Sequence, residues 1–139
     1  KYFQQALLKA PEDTSILYNL GVTSVFLGKR AEAIEHFKKI LNINKSFYDA
    51  KLLLGLLLIE SQNFSEAETI LLELLAQDTN NSYIQKLLGK VFMSTKRYDL
   101  ALNNFEEYLK LNPDDEEANF SLGYVYYNLN LLQSYNCYS

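Results

Sequence analysis

The chain has 139 residues, 48% of them apolar and 22% charged, enough to bury a sizeable core. Thirteen basic against 17 acidic side chains leave a net charge of −4, which argues against a nucleic-acid binder, since such proteins carry a basic footprint. A single cysteine, Cys137, excludes an internal disulfide, and the longest apolar run, Leu52–Ile59, falls well short of the ~20 residues that membrane insertion needs.

In chain order, Pro11 closes a first helical stretch, and Glu12, Asp13 and Thr14 behind it cap the next. From Thr14, Leu17, Leu20, Gly21 and Ser24 mark one face of a helix at spacings of three and four. Leu27-Gly28-Lys29-Arg30 reads as a turn, and Ala33, Phe37 and Ile40 set the face of a second helix. The pattern restarts at Tyr48, with Leu54, Gly55 and Leu58. The run Leu52–Ile59 within it reads as a buried helix segment flanked by Lys51 and Glu60. Ser61-Gln62-Asn63 is the next turn, Ser65 and Glu68 form a capping box, and Ala67, Leu71 and Leu74 follow. A third copy from Ser82 carries Leu88, Gly89 and Phe92, the turn Ser94-Thr95-Lys96, then Ala101, Phe105 and Tyr108. Pro113 ends it, and Asp114 and Asp115 cap a fourth copy that shows Leu122, Gly123 and Tyr126.

The copies are in register. Gly21, Gly55, Gly89 and Gly123 stand at a constant interval of 34 residues, each behind a leucine. A glycine inside a helix costs about 1 kcal/mol relative to alanine, so its return needs a reason. Close packing of two antiparallel helices supplies one, with the alanine of the second helix set against the bare backbone of the first. In the fourth copy the position of that alanine holds Tyr135, too bulky for such a contact. Its second helix is therefore expected to be missing, short or differently placed, with Cys137 in an irregular tail.

The Leu-Gly pairs, the Ala and Phe positions and Pro113 resemble the tetratricopeptide repeat (TPR) family. The resemblance covers residues 1 to about 130. Leu17, Lys51, Gln85 and Asn119 replace its first aromatic, and Lys45 and Thr79 replace its closing proline. It implies an all-α, right-handed α-solenoid of antiparallel helix pairs, a single array over 1–139. Residues 1–13 would be the second helix of a partial repeat, with Phe3, Ala6 and Pro11 where Phe105, Tyr108 and Pro113 fall. Full repeats would span 14–47, 48–81 and 82–115, and 116–139 would be an incomplete last one. An RNA-reading repeat class of similar period is disfavoured by the Leu-Gly/Ala pairing and the acidic balance.

Catalytic chemistry is not visible. His36 has no second histidine or cysteine near it and reads as a solvated surface side chain. No P-loop, dinucleotide fingerprint or metal-ligand spacing occurs, so no cofactor or metal is expected. The acidic run Asp114–Glu117 reads as helix capping rather than a calcium loop.

The resemblance implies instead a groove lined by the first helices of successive repeats. Helical phase places there Tyr18, Val22 and Val25; Leu52, Leu56 and Ile59; Lys86, Lys90 and Met93; and Phe120, Tyr124 and Tyr127. Such a groove would be apolar and aromatic with one basic patch, from Lys86 and Lys90, suited to an acidic residue of a partner. The clamp with which some TPR domains grip a C-terminal carboxylate falls on Tyr18, Val22, Leu53, Lys86 and Lys90, of which only the lysines agree. The asparagine ladder of other members falls on Asn19, Leu53, Leu87 and Ser121, of which only Asn19 agrees.

The expected function is a non-enzymatic protein–protein interaction scaffold that binds a peptide or helical segment. The chain begins at Lys1 rather than methionine and reads as a piece of a longer protein, with no nucleic-acid partner and no membrane insertion. No signal peptide is visible, and the cytoplasm is the favoured compartment. Two alternatives remain: a scaffold that self-associates into a homo-oligomer through uncapped repeat ends, or an accessory region of an enzyme.

Overall fold

The computed structural model describes the backbone of residues 14–138 and the side chains of residues 14–130. Seven helices and no strand occur among the described residues. They are α1 (Thr14–Phe26), α2 (Arg30–Ile43), α3 (Tyr48–Glu60), α4 (Phe64–Gln77), α5 (Ser82–Ser94), α6 (Tyr98–Leu111) and α7 (Glu116–Tyr138). The expected helix over residues 1–13, with its stop at Pro11, and the side chains of Tyr135 and Cys137 lie outside the described residues.

Three turns share one backbone solution. Gly28, Gln62 and Lys96, one period apart, each have a positive φ, of 74°, 63° and 63°. Around them the N–H of Gly28 donates to the Val25 carbonyl and that of Lys29 to Ser24, at 3.0 and 2.8 Å. Gln62 and Asn63 donate in the same way to Ile59 and Leu58, and Lys96 and Arg97 to Met93 and Phe92. This double bond pattern closes the helix end by satisfying its last carbonyls. Only Gly28 does so without the cost a Cβ carries in the left-handed region, about 1 kcal/mol or more.

The Gln62 turn also corrects the reading of Ser65 and Glu68 as a capping box. Helix α4 begins at Phe64, so Ser65 already sits in its first turn, with its carbonyl accepting from Thr69 Oγ1 at 3.2 Å. Asn63 stands at the boundary, and its carbonyl accepts from the Ala67 N–H at 3.0 Å.

Packing divides the chain inside α4, between Ile70 and Leu71. In the first unit α2 packs on both α1 and α3. Leu17, Leu20, Gly21 and Ser24 of α1 are buried, as are Ala33, Phe37 and Ile40 of α2. A Cβ at Gly21 would lie 2.8 Å from Cε1 and Cζ of Phe37. The glycine therefore makes room for the phenylalanine ring, not for the alanine one turn before it, because the ring reaches across the gap that alanine cannot fill. Tyr18 stacks on Phe47 at 5.6 Å between ring centroids and meets Phe37 edge-on at 5.9 Å. In α3, Leu54, Gly55, Leu57 and Leu58 are buried within the apolar run.

In the second unit α6 packs on both α5 and α7, which also touch each other. Ile84, Leu87, Leu88, Val91 and Phe92 of α5 meet a core that includes Ala101 and Phe105 of α6 and Ala118 and Val125 of α7. The glycine motif repeats: a Cβ at Gly89 would lie 2.9 Å from Cε1 and Cζ of Phe105. Two side chains cap the helices here. Asn81 Oδ1 accepts from the N–H groups of Tyr83 and Ile84 at 3.0 and 3.4 Å, and Asp115 Oδ1 accepts from Ala118 at 3.1 Å.

Helix α7 is longer than the others, with 23 residues. Its backbone stays helical through positions 130 and 135, which overturns the expected irregular tail at Cys137. Between Asn128 and Tyr138 there is neither glycine nor proline to break it. Gly123 of α7 also differs from its counterparts: nothing lies within 4 Å of a Cβ built on it.

Candidate binding site

The second unit brings charged and aromatic side chains of α5, α6 and α7 to neighbouring places. Lys86 and Lys90 lie one turn apart on α5, and both face the start of α7. Lys86 Nζ is 2.8 Å from Asp115 Oδ2 and 2.9 Å from Glu117 Oε1, and Lys90 Nζ is 2.9 Å from the same Glu117 oxygen. The Tyr108 hydroxyl of α6 donates to Asp115, and its ring lies under the Lys86 ammonium at 5.4 Å.

Burial opposes the charge on Lys86, but the hydrogen bonds it donates to Asp115 and Glu117 outweigh it and hold the ammonium well above the ordinary lysine range. Asp115 is held far below the ordinary carboxylate range by Lys86, Tyr108 and the Ala118 N–H, and Glu117 is lowered by Lys90 and then Lys86. The two lysines were expected to form a basic patch open to an acidic partner. They are instead neutralised within the fold, because Asp115 and Glu117, read only as helix caps, reach back to α5.

One turn further along α5 the surface becomes apolar and open. Met93 and Ser94 of α5, Lys96 of the turn, Tyr98 of α6, and Phe120, Ser121 and Tyr124 of α7 line a cleft of about 330 Å³. Tyr98 forms the floor. It is buried, meets Tyr124 edge-on at 6.4 Å, and burial followed by Tyr124 raises its hydroxyl above the ordinary tyrosine range. Phe120 stands on the rim at 78% exposure, unusual for so large an apolar side chain. The Lys96 side chain is exposed at the same rim.

Of the residues that helical phase assigns to a groove, Met93, Phe120 and Tyr124 come together in this cleft. Tyr127 is exposed on α7 but outside the lining, and Lys86 and Lys90 belong to the ion network. In the first unit Tyr18 is half-buried against Phe37 and Phe47, and Val22, Leu52, Leu56 and Ile59 are half-buried as well. Val25 lines a hollow of about 100 Å³ with Gly28, Arg30, Leu57 and Glu60.

Lys96, Tyr98 and Ser121 were not among the residues assigned to the groove. The first two belong to the turn and the second helix, whereas the groove was sought only on first helices. Ser121 was weighed only as a missing asparagine.

His36 needs a different correction. It is half-buried, not solvated, and its buried Nδ1 has no hydrogen-bond partner. Loss of solvent and then Lys39 lower its pKa, against the smaller opposing effect of Glu32 and Glu35. Among the described residues no cluster of histidine, cysteine, aspartate and glutamate suits a metal ion, and no helix is long and apolar enough to cross a membrane.

Comparison with known proteins places this architecture. A tetratricopeptide repeat family model matches residues 27–91 and a TPR repeat model matches residues 89–130. A curated protein from Bos taurus, BBSome complex member BBS4, is 25% identical over 134 residues, and the chain spans a quarter of its length. A crystal structure of MamA aligns with a TM-score of 0.84 at 25% identity, covering 93% of this chain and 75% of that one. MamA from Desulfovibrio magneticus aligns at 0.86 with 19% identity, covering 93% and 73%. A tetratricopeptide repeat protein from Parabacteroides merdae aligns at 0.76 with 20% identity, covering 92% and 50%. The fold class is an all-α helical repeat solenoid.

Proposed function

The chain belongs to the tetratricopeptide repeat family, and from that premise we propose that it is a non-catalytic scaffold that holds a segment of a partner protein in the cleft between α5, α6 and α7. Proteins of this family generally mediate protein–protein contacts. The observation that carries the reading is the open cleft with a buried aromatic floor, Tyr98, and an exposed aromatic rim, Phe120 and Tyr124. Aromatic side chains in a concave apolar site dominate the energetics of such contacts. The partner segment carries a large apolar anchor, extended or helical, with an acidic residue placed toward Lys96 rather than toward Lys86 and Lys90.

Selection from a displayed random-peptide library tests this. Selected peptides share an apolar anchor, and Phe120→Ala and Tyr124→Ala each weaken them tenfold or more, about 1.4 kcal/mol. Peptides that bind both variants as tightly as the wild type refute the cleft as the site.

A second reading is favoured by one observation. The Leu122–Gly123 face of α7 lacks the cover that its counterparts on α1 and α5 have, which supports self-association. The Bos taurus relative is named for membership of a complex, in keeping with either reading. A role as an accessory region of an enzyme has no observation in its favour.

A further inference from the structure

We infer that the cleft selects a tyrosine of the partner protein, with the phenol ring between Tyr98 and Phe120, its hydroxyl on Ser121, and a neighbouring carboxylate on Lys96. The inference rests on the cleft reading above and names the anchor that the cleft holds.

Ser121 carries the argument. It lines the cleft and is only 6% exposed. Leucine stands at the same place one and two periods earlier: Leu87, 3% exposed, and the half-buried Leu53. The fold therefore accommodates a leucine at this position, and serine there is shorter and polar. Its hydroxyl is set among apolar surface, beside Met93, Phe120 and the rings of Tyr98 and Tyr124.

That hydroxyl is also left unused by the fold. Thr69 and Thr95 turn theirs back onto the carbonyls of Ser65 and Val91, four residues earlier, at 3.2 and 3.0 Å. Among the described residues Ser121 has no such bond and no other hydrogen-bond partner. A nearly buried hydroxyl without a partner points to one supplied from outside.

The chemistry of the anchor follows. A leucine or phenylalanine would cover the Ser121 hydroxyl and strand it away from water, which costs more than one neutral hydrogen bond contributes. A phenol oxygen both donates and accepts, as the serine hydroxyl does, whereas an indole N–H only donates. The phenol ring meets aromatic surface in the cleft: Tyr98 on the floor, Tyr124 edge-on to it, and the exposed Phe120 on the rim. Lys96 is exposed at the same rim, and among the described residues no carboxylate pairs with it. An acidic residue beside the tyrosine supplies that counter-charge.

Titration of the full chain with three matched probes, followed by NMR of the Phe120 and Tyr124 rings, tests this. Of these, 4-hydroxyphenylacetate carries ring, hydroxyl and carboxylate. Phenylacetate lacks the hydroxyl, and tyramine has an ammonium in place of the carboxylate. The hydroxyl-bearing acid should bind about fivefold tighter than phenylacetate, a ratio that one neutral hydrogen bond supplies, and Ser121→Ala should bring that ratio to about one. Lys96→Glu should reverse the preference for the acid over tyramine. Far-UV circular dichroism checks that both variants are folded. Peptides from the display selection should carry tyrosine at the anchor. Phenylacetate that binds as tightly as the hydroxyl-bearing acid, a hydroxyl preference that survives Ser121→Ala, or probes that leave both rings unmoved to their solubility limit overturn the inference. A preference over tyramine that Lys96→Glu leaves unchanged overturns the place of the carboxylate. The cleft itself stands or falls separately, on whether Phe120→Ala and Tyr124→Ala weaken the selected peptides.

Discussion

The same substitution at two equivalent glycines should stabilise the chain at one and not at the other. In an exposed helix, glycine to alanine gains about 1 kcal/mol through helix propensity. Gly123→Ala meets open space to 4 Å, so it should realise that gain. Gly89→Ala starts from the same gain but puts its methyl 2.9 Å from two ring atoms of Phe105. That contact is well inside van der Waals distance, and Phe105 is fully buried, so its ring has no solvent to move into. Overpacking of this kind costs about 1–3 kcal/mol, which leaves Gly89→Ala neutral to about 2 kcal/mol destabilised. The two variants should therefore differ by about 1–3 kcal/mol. Guanidinium unfolding followed by far-UV circular dichroism reads this as a shift in midpoint at constant slope. Low micromolar protein keeps any self-association out of the comparison. If Gly89→Ala proves as stable as Gly123→Ala, the ring does not set the spacing of the helices, and the glycine period needs another cause.

Three further outcomes follow from the turns and the titrating groups. Gln62→Gly removes a Cβ from a left-handed position and should stabilise the chain by about 1 kcal/mol in the same unfolding assay, whereas Gln62→Ala should not. His36 has a folded pKa below its ordinary 6.5, so the unfolded chain binds the extra proton first. Stability should fall as pH drops from about 6.5 toward the depressed value, and His36→Gln should flatten that limb of a pH–Tm profile. Asp115 is depressed too, so its contribution is complete above the ordinary carboxylate pKa of 3.8 and is lost as acid titrates it in the fold. The stability of Asp115→Asn, lower at neutral pH, should therefore approach that of the wild type in strong acid. A constant gap across the profile would refute the coupling to Lys86.

Much of the fold was legible because its determinants are local and periodic. Leu17, Leu20, Gly21 and Ser24 announce a buried face by spacing alone, and the 34-residue interval repeats the announcement. The partner of the glycine was not legible. Alanine and phenylalanine both recur at the interval, and only the distance between helices decides that Phe37 and Phe105 are the ones in contact. The tail was misread for a related reason: Tyr135 shows that a contact fails but says nothing of what the backbone does next. At the candidate site, Phe120, Tyr124 and Met93 were found by helical phase. Lys86 and Lys90 were misjudged because their counter-charges, Asp115 and Glu117, stand about 30 positions away and meet them only in the folded chain. Tyr98 was missed since nothing in its own stretch marks it as the floor of a cleft.

The junction at which one hairpin receives the next is built twice, with different chemistry. Tyr18 and Phe47 occupy the same two places of the period as Lys86 and Asp115, so what is a ring stack in the first unit is an ion pair in the second. The two positions are consequently coupled and cannot be changed one at a time. Asp115→Phe alone would set an apolar ring beside Lys86 and take one of the two counter-ions, Asp115 and Glu117, from a half-buried charge, an outcome more damaging than the loss of an exposed pair. The period thereby keeps the place of the contact and leaves its chemistry free to differ, provided both partners change together.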